Sequence, residues 1–193
     1  MNINSNQLKL LQNAEWLYEK QQILLNIEKL LWKIADNIKN RAGESLEFMP
    51  EKTDIKSGKL SRGENLNRLP YRILDFPRLF SNDQFFAFRY LFWWGNHFEC
   101  TFISDDTAIN KHIIKALQTM DISNLYCFHG KGILKMDISD KSAHFKLFSE
   151  TNFEEKAPTT LRLSCFYDLS EWSKIPEEGY QFYKLIADAY GKN

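Results

Sequence analysis

The sequence predicts an α+β fold: a mainly antiparallel sheet of about six or seven strands, with a long N-terminal helix or helical hairpin, one crossover helix and a C-terminal helix. Three observations predict it. Residues 6–41 contain no proline or glycine and are followed by Gly43, a helix-forming stretch with a natural stop. Apolar and aromatic runs of strand length come next, joined by hairpin-sized turns that favour antiparallel pairing. One stretch of helical periodicity lies among those runs, and a second closes the chain.

A straight helix over residues 6–41 would be about 50 Å long, longer than a domain of this size is wide. Leu24, Ile27, Leu31, Ile34 and Ile38 make a stripe at helical spacing, but Leu10, Ala14 and Leu17 join it only through the polar Gln21. Two arrangements would cover it. A break near residues 19–22 folds the helix into a hairpin, the favoured reading, or the helix runs on and pairs with a second copy in a homodimer. Residues 44–69, with Pro50, Gly58 and Gly63 and little periodicity, read as a long irregular loop.

Strand signals follow at 71–76, 85–94 and 97–104, the last two separated by Gly95-Asn96 in a tight hairpin. A helix over Gln84–Trp94, capped by Ser81, competes with the second of these. Its ring density and the following Gly-Asn turn favour the strand. Asp105 or Asp106 then caps a helix through Met120, with Ile109, Ile113, Leu117 and Met120 on one face. Strand-like runs at 125–129, 133–138, 143–149 and 160–167 precede a final helix, opened by Pro176 and closed at Gly191, that buries Tyr183, Ile186 and Tyr190.

The 193 residues, 44% hydrophobic and 26% charged, suit a single soluble domain. There is no run of about 18 apolar residues, and the first residues lack the basic and apolar regions of a signal peptide. The expected address is the cytoplasm, with no membrane partner. Cys100, Cys127 and Cys165 are odd in number and set among apolar neighbours, which reads as buried thiols in a reducing compartment. Lys+Arg and Asp+Glu balance at 25 each, so no global field recruits nucleic acid. Locally, residues 56–89 carry seven basic against three acidic residues, and residues 150–178 carry seven acidic against three basic. These are two solvated faces, or a contact within the chain or between two copies.

Arg62, Arg68, Arg72, Arg78 and Arg89 are interleaved with aromatic residues, a mixture suited to an anionic small molecule because the guanidinium fork matches oxyanions and stacks on rings. It equally suits arginines paired to carboxylates while the rings fill the core. On the strand reading, Phe86, Phe88, Tyr90, Phe92 and Trp94 share one face, which is core. Arg89 lies on the other with Phe85, Ala87, Leu91 and Trp93, as an anion anchor or one half of a buried ion pair. Arg72, Arg89, Trp93 and His97 are expected to line one concave ligand-binding site.

His97 and Glu99 share a face of the next strand and form a candidate acid–base pair. A metal would need further ligands, and His112, His129 and His144 follow no ligand spacing, so no metal is expected. His97-Phe98-Glu99 matches the start of the nucleobase-deaminase signature, but the Pro-Cys-x-x-Cys half is missing. A phosphate-binding loop and a Gly-x-Ser-x-Gly elbow are also absent. No cofactor is expected, and no catalytic motif argues for an enzyme.

The run Gly63 to Arg78, containing Arg68-Leu69-Pro70-Tyr71-Arg72-Ile73-Leu74-Asp75-Phe76-Pro77-Arg78, with Phe92-Trp93-Trp94-Gly95-Asn96 after it, resembles an uncharacterised family of bacterial hypothetical proteins. The resemblance covers the central third and implies a stand-alone bacterial cytoplasmic protein with no stated activity. Three functions stay open. The first is an anionic-ligand-binding domain with its pocket between the sheet and the loop of residues 58–77. The others are a homodimeric interaction protein using the N-terminal helix, and an enzyme using His97 and Glu99.

Overall fold

The computed structural model describes residues 2–46, 49–81, 83–132, 134, 141–153 and 158–191. Among these, four α-helices and a seven-stranded antiparallel sheet make an α+β fold. The helices are α1 (Ser5–Gln12), α2 (Ala14–Arg41), α3 (Thr107–Leu117) and α4 (Ile175–Gly191). The strands are β1 (Lys59–Leu66), β2 (Leu69–Phe80), β3 (Phe85–Trp93), β4 (His97–Ser104), β5 (Tyr126–Phe128), β6 (Phe145–Leu147) and β7 (Leu161–Tyr167). Their order across the sheet is β1-β2-β3-β4-β7-β5-β6.

The alternation along β3 decides which face is core. Phe86, Phe88, Tyr90 and Phe92 point toward α2, α3 and α4 and pack with Leu31, Ile34, Ile38, Tyr183 and Ile186. Phe88 sits among the rings of Phe86, Phe102, Phe182 and Tyr183 at centroid distances of 5.0–6.4 Å. The α2–α4 crossing is tight enough to require a glycine, since a Cβ at Gly179 would lie 2.8 Å from the Ile34 side chain. The opposite face holds a smaller cluster of Leu66, Ile73, Leu91 and Trp93.

Several expectations are corrected. The N-terminal helix does not break at residues 19–22 and forms no hairpin. It breaks at Asn13, whose side-chain oxygen accepts the Trp16 N–H and caps a helix that then runs uninterrupted for 28 residues. The segment 44–69 is not one irregular loop. It contains a 3-10 turn, Gly43–Leu46, and the edge strand β1, and the Asp54 carboxylate organises its middle by accepting the N–H groups of Lys56, Ser57 and Gly58. Strand β2 extends to Phe80, with a register shift between Asp75 and Arg78. The Asp106 side chain caps α3. Of the run expected at 133–138, all but Leu134 lies outside the described residues. Cys100, Cys127 and Cys165 are buried free thiols. No helix of the described residues is long and apolar enough to cross a membrane.

Candidate functional site

Sheet register separates the four residues expected to share a pocket. Arg72 pairs with Phe92 of β3 and stands on the helix-covered face with Leu74 and Phe76. Arg89, Trp93, His97 and Glu99 are on the other face. The four therefore do not line one concave site. The physical reason is the two-residue period of β2: Arg72 has the parity of the core residues Leu74 and Phe76.

On the helix-free face, a transverse row of register partners crosses five strands: Asp75, Arg89, Thr101, Ser164 and Tyr126. Arg89 is committed to Asp75 in a two-pronged ion pair, Nε to Oδ1 at 2.7 Å and Nη2 to Oδ2 at 3.1 Å. Beside it lies Glu99, whose Oε1 accepts hydrogen bonds from Thr101 Oγ1 at 2.6 Å, Ser164 Oγ at 2.7 Å and Arg162 Nη2 at 2.7 Å. Arg162 stacks over the rings of Phe128 and Phe145. Burial alone would raise the Glu99 pKa. The Arg162 charge and the three donors outweigh that, so the pKa is lowered and the carboxylate stays ionised.

His97 is buried edge-on between Trp93 and Phe166, at 5.7 and 5.2 Å. Burial, with the positive charges of Lys141 and Arg162, outweighs the pull of Glu99 and lowers its pKa from 6.5 to about 4. Neither His97 nor the saturated Oε1 of Glu99 is arranged as a proton relay. A further result is expected from this geometry. Because the unfolded imidazole holds its proton more tightly than the folded one, the His97 contribution to stability is present above pH 6.5. It is lost as pH falls toward 4. An NMR titration of the histidine rings should place the His97 midpoint near pH 4, and a midpoint near 6.5 would contradict the buried, neutral ring.

Arg72 serves a different cluster. Its Nε donates to Glu28 Oε1 at 2.8 Å, while Arg62 donates through Nε and Nη2 to the two oxygens of the same carboxylate at 2.8 and 2.7 Å. Lys20 and Glu64 close the group with a 2.6 Å contact. Glu28 was missed in the sequence although the signal was present: it falls inside the apolar stripe of α2, where a carboxylate needs a cation. Arg162 and Ser164 were missed because polar residues alternating with Leu161, Leu163 and Cys165 read as a solvent-facing side of a strand. Among the described residues the ion pairs of the basic run go to Glu28, Asp54, Glu64 and Asp75 rather than to the acidic C-terminal third. Among the described residues there is no group of three or more His, Cys, Asp and Glu side chains able to hold a metal.

Two clefts flank α2. One, of about 510 Å³, mixes leucines with ion-paired residues, Leu17, Leu24 and Leu25 with Lys20, Glu28, Arg62, Glu64 and Arg72 among others. The other, of about 550 Å³, is apolar and lined by Ile23, Ile27, Trp94, Phe98, Leu169 and Trp172 among others. A smaller one of about 260 Å³ lies at Asn124, Lys141 and Phe166. Arg89, Trp93 and His97 line none of the three.

The largest departure from an ordinary surface is the helix itself. Helix α1 contains no buried residue, and among the described residues nine of the twelve exposed large hydrophobics lie between Ile3 and Leu25, each 43–73% exposed. Leu10, Leu17, Leu24, Leu31 and Ile38 recur every seven residues. Leu24, Leu31 and Ile38 are buried in the core, while Leu17, two turns before Leu24 on the same helix, is more than half exposed, as is Leu10 of α1 on the far side of the Asn13 break. The chain matches no family model, no curated protein and no solved structure.

Proposed function

We propose that this chain is an interaction protein that pairs with a second copy of itself through its N-terminal helix. The observation that carries the reading is the apolar line of α2, buried at Leu24, Leu31 and Ile38 and exposed at Leu17, with further exposed leucines in α1 beyond the Asn13 break. A monomer rarely exposes a contiguous apolar patch beyond a few hundred Å². Nine large apolar side chains at roughly 100 Å² each expose on the order of 1,000 Å² in all, spread over more than one side of α1 and α2, and a standard interface takes about 800 Å² from each partner. The arm is neutral, with Lys9 and Lys20 against Glu15 and Glu19 over residues 2–25. It therefore lacks the basic face that holds interfacial helices to anionic lipid.

The anionic-ligand reading has less behind it, since Arg89 already holds a carboxylate and Arg72 shares Glu28 with Arg62. The acid–base reading has less support too, since His97 lines none of the three clefts described above. The resemblance to a bacterial family adds no activity.

Light scattering at tens of micromolar should give twice the monomer mass for the intact chain. A Leu10→Asp/Leu17→Asp variant should be monomeric with an unchanged circular dichroism spectrum. The substitutions belong at these exposed positions because Ile27 and Ile34 are buried in the core, where a charge would unfold the domain. An intact chain that scatters as a monomer would refute the proposal.

A further inference from the structure

We infer that the cleft between the first half of α2 and the β1–β2 hairpin binds a single-chain anionic amphiphile, a carboxylate whose head meets Arg62 and Arg72 while its alkyl chain lies along the leucines of α2. The inference goes beyond the dimer reading and does not rest on it. Residues 17, 20, 21, 24, 25 and 28 of α2 line the cleft, and this spacing places them on one side of the helix. Trp16, Ile23 and the leucines of α1 are not among its walls. Its volume of about 510 Å³ falls within the ~300–1,000 Å³ of small-molecule sites.

Two chemistries meet here. Leu17 and Leu25 are 53% and 48% exposed, an apolar wall left facing water. The same cleft holds three cations, Lys20, Arg62 and Arg72, against two carboxylates, Glu28 and Glu64, a surplus of one positive charge. Both carboxylates stay ionised, since hydrogen bonds from Arg62 to Glu28 and from Lys20 to Glu64 lower their pKa values.

The ion pairing leaves donors over. Arg62 engages Glu28 through Nε and Nη2, while Arg72 engages Glu28 through Nε and Gly63, Glu64 and Tyr71 through Nη1. Arg62 Nη1 and Arg72 Nη2 have no partner among the described residues. The Arg72 side chain is only 8% exposed, yet its Nη2 is not sealed from water, and the solvent it meets is that of the cleft it lines. Each oxygen of Glu28 and Glu64 already accepts from a cation. The unmet need is for an oxyanion, and a guanidinium edge matches a carboxylate. A head group alone would leave the leucines wet, and a neutral chain alone would cover open N–H groups without pairing them. One molecule carrying both satisfies the cleft. The apolar cleft on the other side of α2 has no charged side chain in its walls to orient such a ligand.

Equilibrium dialysis of the full chain against labelled decanoate tests the site. Decanoate should bind saturably, one per chain, and acetate and 1-decanol should compete at least about tenfold more weakly, since each supplies only part of the contacts. Arg62→Gln, at a side chain 61% exposed, leaves Arg72 paired with Glu28 and should weaken decanoate binding at least about tenfold with an unchanged circular dichroism spectrum. Leu25→Asp should do the same by placing a negative charge in the wall. Trp172→Ala, in the other cleft, should leave the affinity unchanged. Decanol competing as well as decanoate would overturn the assignment. So would loss of binding with Trp172→Ala but not with Arg62→Gln, which would place the ligand in the apolar cleft. No saturable decanoate binding at millimolar concentration would overturn it outright.

Discussion

Replacing Glu99 with alanine is expected to destabilise the domain by about 3–5 kcal/mol, because it removes a carboxylate paired with the buried Arg162. Both side chains are less than 5% exposed, so water cannot take over. The loss extends beyond the ion pair, since the hydroxyls of Thr101 and Ser164 also give up their acceptor on Oε1. The double change Glu99→Leu/Arg162→Met should recover much of the deficit by removing both charges together. Urea denaturation of the three proteins measures this. A Glu99→Ala loss below about 1 kcal/mol would show that the carboxylate carries no such burden. The sign with pH follows from the lowered Glu99 pKa: its contribution is present above the ordinary carboxylate range and is lost as acid protonates it.

Phe88→Ala is expected to cost a similar amount, about 3–5 kcal/mol, by a different mechanism. Its side chain is wholly buried in the middle of β3 and meets rings from β3, β4 and α4. Truncation leaves a cavity walled by large aromatic side chains that have little freedom to close in. Removing Trp172, an equally aromatic but exposed residue, should leave stability within about 1 kcal/mol of the parent. Similar losses for the two would contradict the division of core from surface drawn here.

The residues that were legible in the sequence are those whose environment matches one simple pattern. Strands β3 and β4 announce themselves because their rings alternate across a buried face and Gly95, at φ 69°, makes the turn that only a glycine or asparagine takes easily. The α3 cap is legible because an aspartate preceding a helical stripe has one obvious task. Strand β1 was not, because an edge strand with the sequence Lys-Leu-Ser-Arg-Gly-Glu-Asn-Leu exposes much of its length and has no alternating signature. The helix break was misplaced because Asn13 is a cap in a stretch already rich in asparagine and glutamine. The proposed ligand site dispersed because adjacency in sequence says nothing of register: Arg72 falls opposite Phe92 and so shares the core-facing side, not that of Arg89 and Trp93.

Helix α2 has a mechanical consequence. Its 28 residues run from the exposed Trp16 to the core residues Ile34 and Ile38 without a proline, glycine or cap to interrupt them, a rod about 42 Å long. Glu28 clamps it to the β1–β2 hairpin, and Lys20, two turns nearer its start, reaches Glu64 of β1. A force or a binding partner acting on the outer turns is therefore transmitted to the centre of the domain as rotation of a stiff lever, with bending confined to Asn13. Two molecules joined along such levers would hold their sheets at one fixed separation and angle, as a rigid spacer does and a tethered pair does not.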